Sequence, residues 1–404
     1  MENLNQTIFK DFELLGFVGF DNYSPVWFTV FFLIYVFTII GNMLIILVVY
    51  YDIHLHMPMY FFIINLSCLE IWYVSITTPK LLIMLATKNK KISFYWCFAQ
   101  IYMFHSLGIT ECNLLAIMAI DRFVAICIPL RYNIIINTRV SRGLTLMCWI
   151  TGFLMALIPM TLTSRVPFCG RYYVNHYFCD LAPLLSLACS DITMTVTINR
   201  FVGGFATMFN LAIVVLMYMN IIYSIMKIKT KKGQKKAFST CSSHLTVVTL
   251  FYGAACIVYA TPKTSRSVEY DKSFALVYAM FTPFLNPIIY SLRNRQVISG
   301  LKKGLQSMKR HINERHWITG QSNAGIGLQG GAREGFKLFV LSINQGKERL
   351  QQKSAVGNPH RESPTKEEDE NEQLCLEKKK KSVVEEEQEA DDDYDDTGHD
   401  DQSS

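Results

Sequence analysis

The chain has 404 residues, half of them hydrophobic, with a formal net charge of +6 and a positive mean hydropathy of +0.21. That is too apolar for an ordinary soluble domain of this length. The charge is also unevenly placed. Residues 361–404 hold 18 of the 33 acids and only 6 of the 39 basic residues, so the tail carries −12 and the remainder +18.

Met1 to Ser24 is polar and has no basic start leading into a short apolar core, so no cleavable signal peptide is expected. Asn5-Gln6-Thr7 is a glycosylation sequon, and Asn22-Tyr23-Ser24 is a poorer one because Pro25 follows it. Seven apolar runs come next, near 26–50, 58–85, 97–127, 141–165, 196–226, 237–260 and 270–292. Each approaches or exceeds the roughly 20 residues that a helix needs to cross a bilayer. Backbone groups in lipid must pair internally, which leaves helices or closed barrels, and these runs are too long and continuous for barrel strands. The fold class read from the sequence is therefore an all-α membrane protein, a seven-transmembrane helix bundle.

Short loops fix the orientation. With the amino terminus extracellular, the inner loops hold Arg131, Arg139, Arg142 and six lysines between Lys227 and Lys236, followed by Arg293, Arg295, Lys302 and Lys303. The outer side then holds fewer basic residues, among them Lys88, Lys90, Lys91, Lys263 and Lys272. The same orientation places Cys97, Cys169, Cys179 and Cys189 outside. An even set in an oxidising compartment points to disulfides, and four cysteines allow three pairings. The spacing does not match a zinc site.

Within these runs lie residues that do not belong in oil. Asp121-Arg122 sits in "LLAIMAIDRFVAICIPLRY", and Glu70 and Glu111 interrupt the second and third runs. Intramembrane charges are costly and as a rule serve a function. "GNMLIILVV", "MPMYFFIINLSCLE", "MAIDRFVAIC", "KAFSTCSSHLTVV" and "PFLNPIIYSLRN" occur in that order along the seven runs. Together they resemble the vertebrate odorant receptors, a branch of the rhodopsin-like G protein-coupled receptors, over about residues 1–308.

The resemblance implies roles for named residues. Asp121 and Arg122 occupy the Asp-Arg-Tyr position, where the arginine is held by its neighbour at rest and released to contact a heterotrimeric G protein; Phe123 stands where tyrosine is usual. Tyr218, Lys236, His244, Asn286, Pro287 and Tyr290 belong to the same activation machinery. Pro287 removes a helix hydrogen bond and lets the last helix kink. Glu70, Glu111 and Asn286 would line a polar site holding a sodium ion or a proton; the alternative is a plain interhelical hydrogen bond between neutral acids. Cys97 is implied to pair with Cys179, and Cys169 with Cys189.

The resemblance also places a ligand pocket in the outer half of the bundle. Its lining would be His105, Gly108, Ile109 and Cys112 on the third helix, Val202, Gly203 and Ala206 on the fifth, and Tyr252, Cys256 and Tyr259 on the sixth. His105 and Tyr259 bring polar atoms to an otherwise apolar space, which fits a small, largely hydrophobic, neutral odorant. The implied function is an odorant receptor raising cyclic AMP through a stimulatory olfactory-type G protein. The alternative is a rhodopsin-like receptor for a non-odorant small ligand outside the olfactory epithelium. No catalytic constellation appears, so an enzyme is not expected, nor is a cofactor beyond that sodium ion; the partners are odorant, G protein and membrane lipids, with no nucleic acid.

The organisation follows. Residues 1–25 form an extracellular amino terminus and 26–292 the receptor domain. Residues 293–308 form an amphipathic helix on the inner membrane surface, with Val297, Ile298, Leu301 and Leu305 towards lipid. Residues 309–404 are a cytoplasmic tail, largely disordered and strongly acidic towards its end, read as a solvated extension.

Overall fold

The computed structural model describes residues 11–17, 19–169, 172–260, 268–293, 297–300, 302 and 306. The side chains of 21, 236, 240, 255–260 and 291–293 lie outside that description, as do Asn5 and the acidic tail. The helices are α1 Ser24–Tyr51, α2 Pro58–Thr87, α3 Phe94–Cys127, α4 Tyr132–Ile135, α5 Thr138–Ser164, α6 Leu181–Leu185, α7 Thr193–Met226, α8 Lys231–Ala260, α9 Val268–Leu276 and α10 Thr282–Arg293. A π-helical turn, Val277–Phe281, joins α9 to α10 without a break.

Among the described residues, seven long helical segments thus coincide with the seven apolar runs. Five of them, α1, α2, α5, α7 and the α9–α10 continuum, are long and apolar enough to cross a membrane. A sixth is reached if α3 is counted with Pro129–Ile135, beyond a 113° bend. The arrangement is consistent with a seven-helix transmembrane bundle. The segment starts have local causes: Pro58 opens α2 at a position where its missing N–H costs nothing. Ser93 caps α3 by accepting from the Trp96 amide, and Asn137 caps α5 by accepting from the Val140 amide.

α3 is the centre of the bundle, packing against α2, α5, α7 and α8. Small residues set how closely the helices cross. A side chain at Gly152 on α5 would meet the backbone oxygen of Ser106 on α3 at 2.8 Å. One at Gly41 on α1 would meet the Pro287 ring on α10 at 3.0 Å. The next residue, Asn42, donates to Thr38 O at 3.0 Å and to Pro283 O at 3.3 Å, so the "GN" pair of the first run seats α1 on the proline-bearing stretch of α10.

The all-helical expectation misses a three-stranded sheet at the end of the bundle that holds the disulfides. β1 Asp11–Leu14 lies between β2 Lys91–Ser93 and β3 Tyr173–Val174, antiparallel to the first and parallel to the second. Phe12 and Leu14 point inward and are fully buried beside Cys97, Cys179 and Met84, while Asp11 and Glu13 alternate outward. Lys272, counted from the sequence among the outer-side cations, lies at that end of the bundle within α9 and is 0 % exposed. Of the expected surface helix 293–308, residues 297–300 are helical and Val297 is buried in the inner core; most of the remainder lies outside the described residues.

Candidate functional site

Two clusters of polar side chains lie at opposite ends of α3. At one end, Arg122 Nη2 is 2.9 Å from Asp121 Oδ2, both side chains being nearly buried. The other carboxylate oxygen accepts a 2.7 Å hydrogen bond from the Tyr132 hydroxyl on α4. Sequence reasoning passed over Tyr132, whose partner is eleven residues away across a bend. Tyr218 on α7 bonds His244 Nδ1 on α8 at 2.7 Å and donates to Cys241 O at 3.4 Å, joining those helices. Tyr218, His244 and the buried Tyr290 all lie within electrostatic reach of Arg122. The Lys236 side chain is outside the described residues. Leu130, between Arg122 and Tyr132, is 97 % exposed, with Ile134 also exposed beside it.

Midway along the bundle, Asn286 Nδ2 donates to Glu70 Oε1, joining the second and seventh runs. Glu111 on α3 is buried and within electrostatic reach of Glu70. Glu70 Oε2, Glu111 Oε1 and Asn286 Oδ1 are buried without a hydrogen-bond partner. Pro287 follows directly, packed on Gly41. A further polar bridge lies above the switch. Asn210 on α7 donates to Asn113 Oδ1 on α3 at 2.9 Å, and Asn113 donates to Thr151 Oγ1 on α5 at 2.9 Å.

At the opposite end, His105 Nε2 on α3 lies 3.4 Å from Asp180 Oδ1, an ion pair when the imidazole is charged. Burial alone would raise the Asp180 carboxyl, but the neighbouring His105 and His176 imidazoles and the Leu181 backbone outweigh it and hold it below its usual range. The loop carrying Asp180 is fixed by two disulfides, Cys97–Cys179 to the top of α3 and Cys169–Cys189 within the loop. Cys179, so bonded, is no thiolate ligand. Gln100 on α3 accepts from the Cys179 amide at 2.8 Å. Neighbouring His176 is buried, and that burial, with the charge of Lys272 added, pulls its imidazole down to about 4 against the opposing pull of Asp180. His176 therefore stays neutral at ordinary pH.

The pocket residues named from the sequence divide into groups. Tyr252 donates to Cys112 O at 3.4 Å, bringing α8 to α3. Ile109 and Ala206 share one packed cluster with Ala156, and Val202 is buried one turn above Ala206 on α7. Gly203 O accepts from Thr207, and Gly108 faces the Tyr73 hydroxyl on α2. The side chains of Cys256 and Tyr259 lie outside the described residues. The aromatic continuation Phe178–Phe104–Tyr278 was not read from the sequence; it links the loop to α3 and to the π-helical turn, at ring separations of 4.7 and 6.1 Å.

With this geometry in view, comparison with known proteins is direct. The olfactory receptor family profile matches residues 31–308. The chain is 44% identical to olfactory receptor 1M1 of Mus musculus over 303 residues, which is 75% of this chain and 97% of that one. It is 40% identical to olfactory receptor 6N1 of Homo sapiens over 306 residues, 76% of this chain and 98% of the relative. The chain belongs to the olfactory receptor family, and is accordingly a multi-pass plasma-membrane receptor of the G protein-coupled kind, not an enzyme.

Proposed function

We propose that the protein binds a small, largely hydrophobic, neutral odorant in the outer half of the bundle and activates a stimulatory olfactory-type G protein, raising cyclic AMP. The amino terminus is extracellular, and the acidic tail is cytoplasmic. The observation that carries this reading is that one central helix, α3, holds His105 against the disulfide-bound loop at one end and Asp121-Arg122 at the other. A ligand touching α3, α7 and α8 near His105, Ile109 and Ala206 acts on the same rigid elements that carry Arg122, Tyr218 and His244.

Activation is a population shift between two arrangements of these elements, limited by the ligand's differential affinity for them. At rest Asp121 holds the guanidinium, which is always charged. Release frees it for the partner protein, and Leu130 and Ile134, exposed in the segment that follows α3, offer that partner an apolar contact. Hard cations take oxygen ligands, and the unpartnered oxygens of Glu70, Glu111 and Asn286 fit a sodium ion in the resting form. Its single charge would offset one carboxylate, the other acid keeping its proton.

The test is cyclic AMP production in cells expressing the full chain with an olfactory-type G protein, against a broad odorant panel, beside Arg122→Ala at matched surface level. A response in the parent that disappears in the variant supports the reading. A surface-delivered parent silent to the whole panel while answering a non-odorant ligand moves the function to the alternative receptor class.

A further inference from the structure

Lys272 is a cation buried in an apolar setting, and none of the roles above uses it. Burying an ammonium is expensive unless its protons are satisfied. Here Nζ donates to Glu269 Oε1 and to Gly16 O, both at 2.6 Å, and lies 6.0 Å from the centre of the Phe17 ring. Gly16 is 256 positions earlier in the chain and has φ +73°, a conformation that glycine adopts without cost. That conformation directs its carbonyl to α9 while its N–H donates to His176 O at 3.1 Å. One residue of the amino-terminal segment thus ties the last membrane segment to the disulfide-bound loop.

The segment is held elsewhere too. β1 is the central strand of the sheet, and the Leu15 amide donates to Val174 O at 3.0 Å. Phe17 stacks on Tyr177 at 5.1 Å, and Tyr177 lies edge-on to Phe178, which contacts Phe104 beside His105. The cover over this end of α3 is therefore one continuous layer, in which residues 11–17 lie beside the loop 172–180 in the same sheet and Phe12 and Leu14 pack directly on Met84, Cys97 and Phe98.

We propose that residues 11–17, joined to the loop 172–180, form a lid over the ligand-binding end of the bundle, and that Lys272 is the positioning residue that latches it to the last membrane segment. The access part of this proposal rests on the pocket assignment made under Proposed function. Lids close over a bound molecule, and their opening gates its entry and release. Lys272 supplies the fixed point because its ammonium is satisfied there by Gly16 O and the Glu269 carboxylate.

The experiment uses the full chain in lipid nanodiscs. Backbone hydrogen exchange is followed in peptides covering 11–17 and 172–176, and the native Cys112 thiol is titrated with the water-soluble reagent sulfonatoethyl methanethiosulfonate. Lys272→Met is expected to speed exchange in both peptides at least tenfold, with α3, α5 and α7 unchanged, and to speed Cys112 labelling by a similar factor. Lys272→Arg, which keeps the cation, restores most of both. Unchanged exchange in Lys272→Met overturns the latch. Faster exchange with unchanged Cys112 labelling overturns the lid and leaves the segment as a brace. Should Lys272→Met fail to reach the membrane, Gly16→Ala attacks the latch from the other side, and protection of 11–17 equal to the parent's overturns the proposal. The pocket assignment is judged separately, by whether His105→Ala changes the odorant panel response.

Discussion

Tyr132 holds Asp121 from outside α3: its hydroxyl donates to Oδ1 at 2.7 Å while Arg122 occupies Oδ2 at 2.9 Å. The carboxylate thus has two partners on different elements, and the tyrosine belongs to the short helix at the bend that also exposes Leu130. Removing the hydroxyl loosens Asp121 and with it the resting position of Arg122. A hydrogen bond to a charged group contributes about 1.5–3 kcal/mol, and partial exposure reduces that. Tyr132→Phe is expected to raise basal cyclic AMP per surface receptor about three- to tenfold. Basal signal equal to the parent's would show that Tyr132 plays no part in the resting state.

The close crossing of α3 and α5 makes a second outcome specific to one glycine. Gly152→Val would force its new atoms against Ser106 O and the Thr110 backbone, neither of which can move without shifting a helix. Overpacking of this kind costs about 1–3 kcal/mol. Gly143, on the same helix, has nothing within 4 Å of the place a side-chain carbon would take, so Gly143→Val serves as the matched control. In detergent thermal melts the first variant should lose several degrees and the second should match the parent. Equal melting temperatures would remove the packing argument.

Asn113 and Asn210 bridge α3 and α7 between the pocket residues and the switch, with Thr151 extending the bridge to α5. Interhelical hydrogen bonds in membranes average about 0.6 kcal/mol and rarely exceed 1.7. Asn210→Leu and Asn113→Leu should therefore each lower stability modestly, and the double variant should lose less than the sum, because the shared bond can be lost only once. Strict additivity in a double-mutant cycle would mean that the bond contributes nothing measurable.

How far the fold could be read from the sequence depended on the range of the interaction. The seven runs were legible because bilayer length imposes a local pattern, and the observed helices match them to within a few residues except at the basic start of α8, which begins six residues earlier. Asp121-Arg122, Glu70 and Asn286 stood out because charge and amide groups are rare in such runs, and the structure brings Glu70 to Asn286. The strand was hidden: Phe12 and Leu14 alternate with Asp11 and Glu13, but four residues are too few for a period-two signal to be decisive. The burial of Lys272, counted only as an outer-side cation, was hidden for a related reason. Its partner carbonyl belongs to Gly16, and no local rule connects positions so far apart.

His176 gives the lid a pH dependence whose sign can be worked out. Burial and the Lys272 charge depress its folded value to about 4, against an ordinary 6.5, while Asp180 and Glu269 act the other way. Between these values the unfolded or opened loop binds more protons than the closed one, so stability rises with pH across the window. The contribution is fully present above about 6.5 and is lost as pH falls towards 4, by about 3 kcal/mol at most for that shift. Hydrogen exchange in peptides covering 172–178 should accelerate between pH 7 and pH 5 in the parent, beyond the intrinsic change in exchange chemistry. His176→Leu has no proton to take up and should show only the intrinsic change. If the variant keeps the parent's full acid sensitivity, the titrating group is another residue of the lid, and the neutral, buried imidazole is not what holds the loop closed.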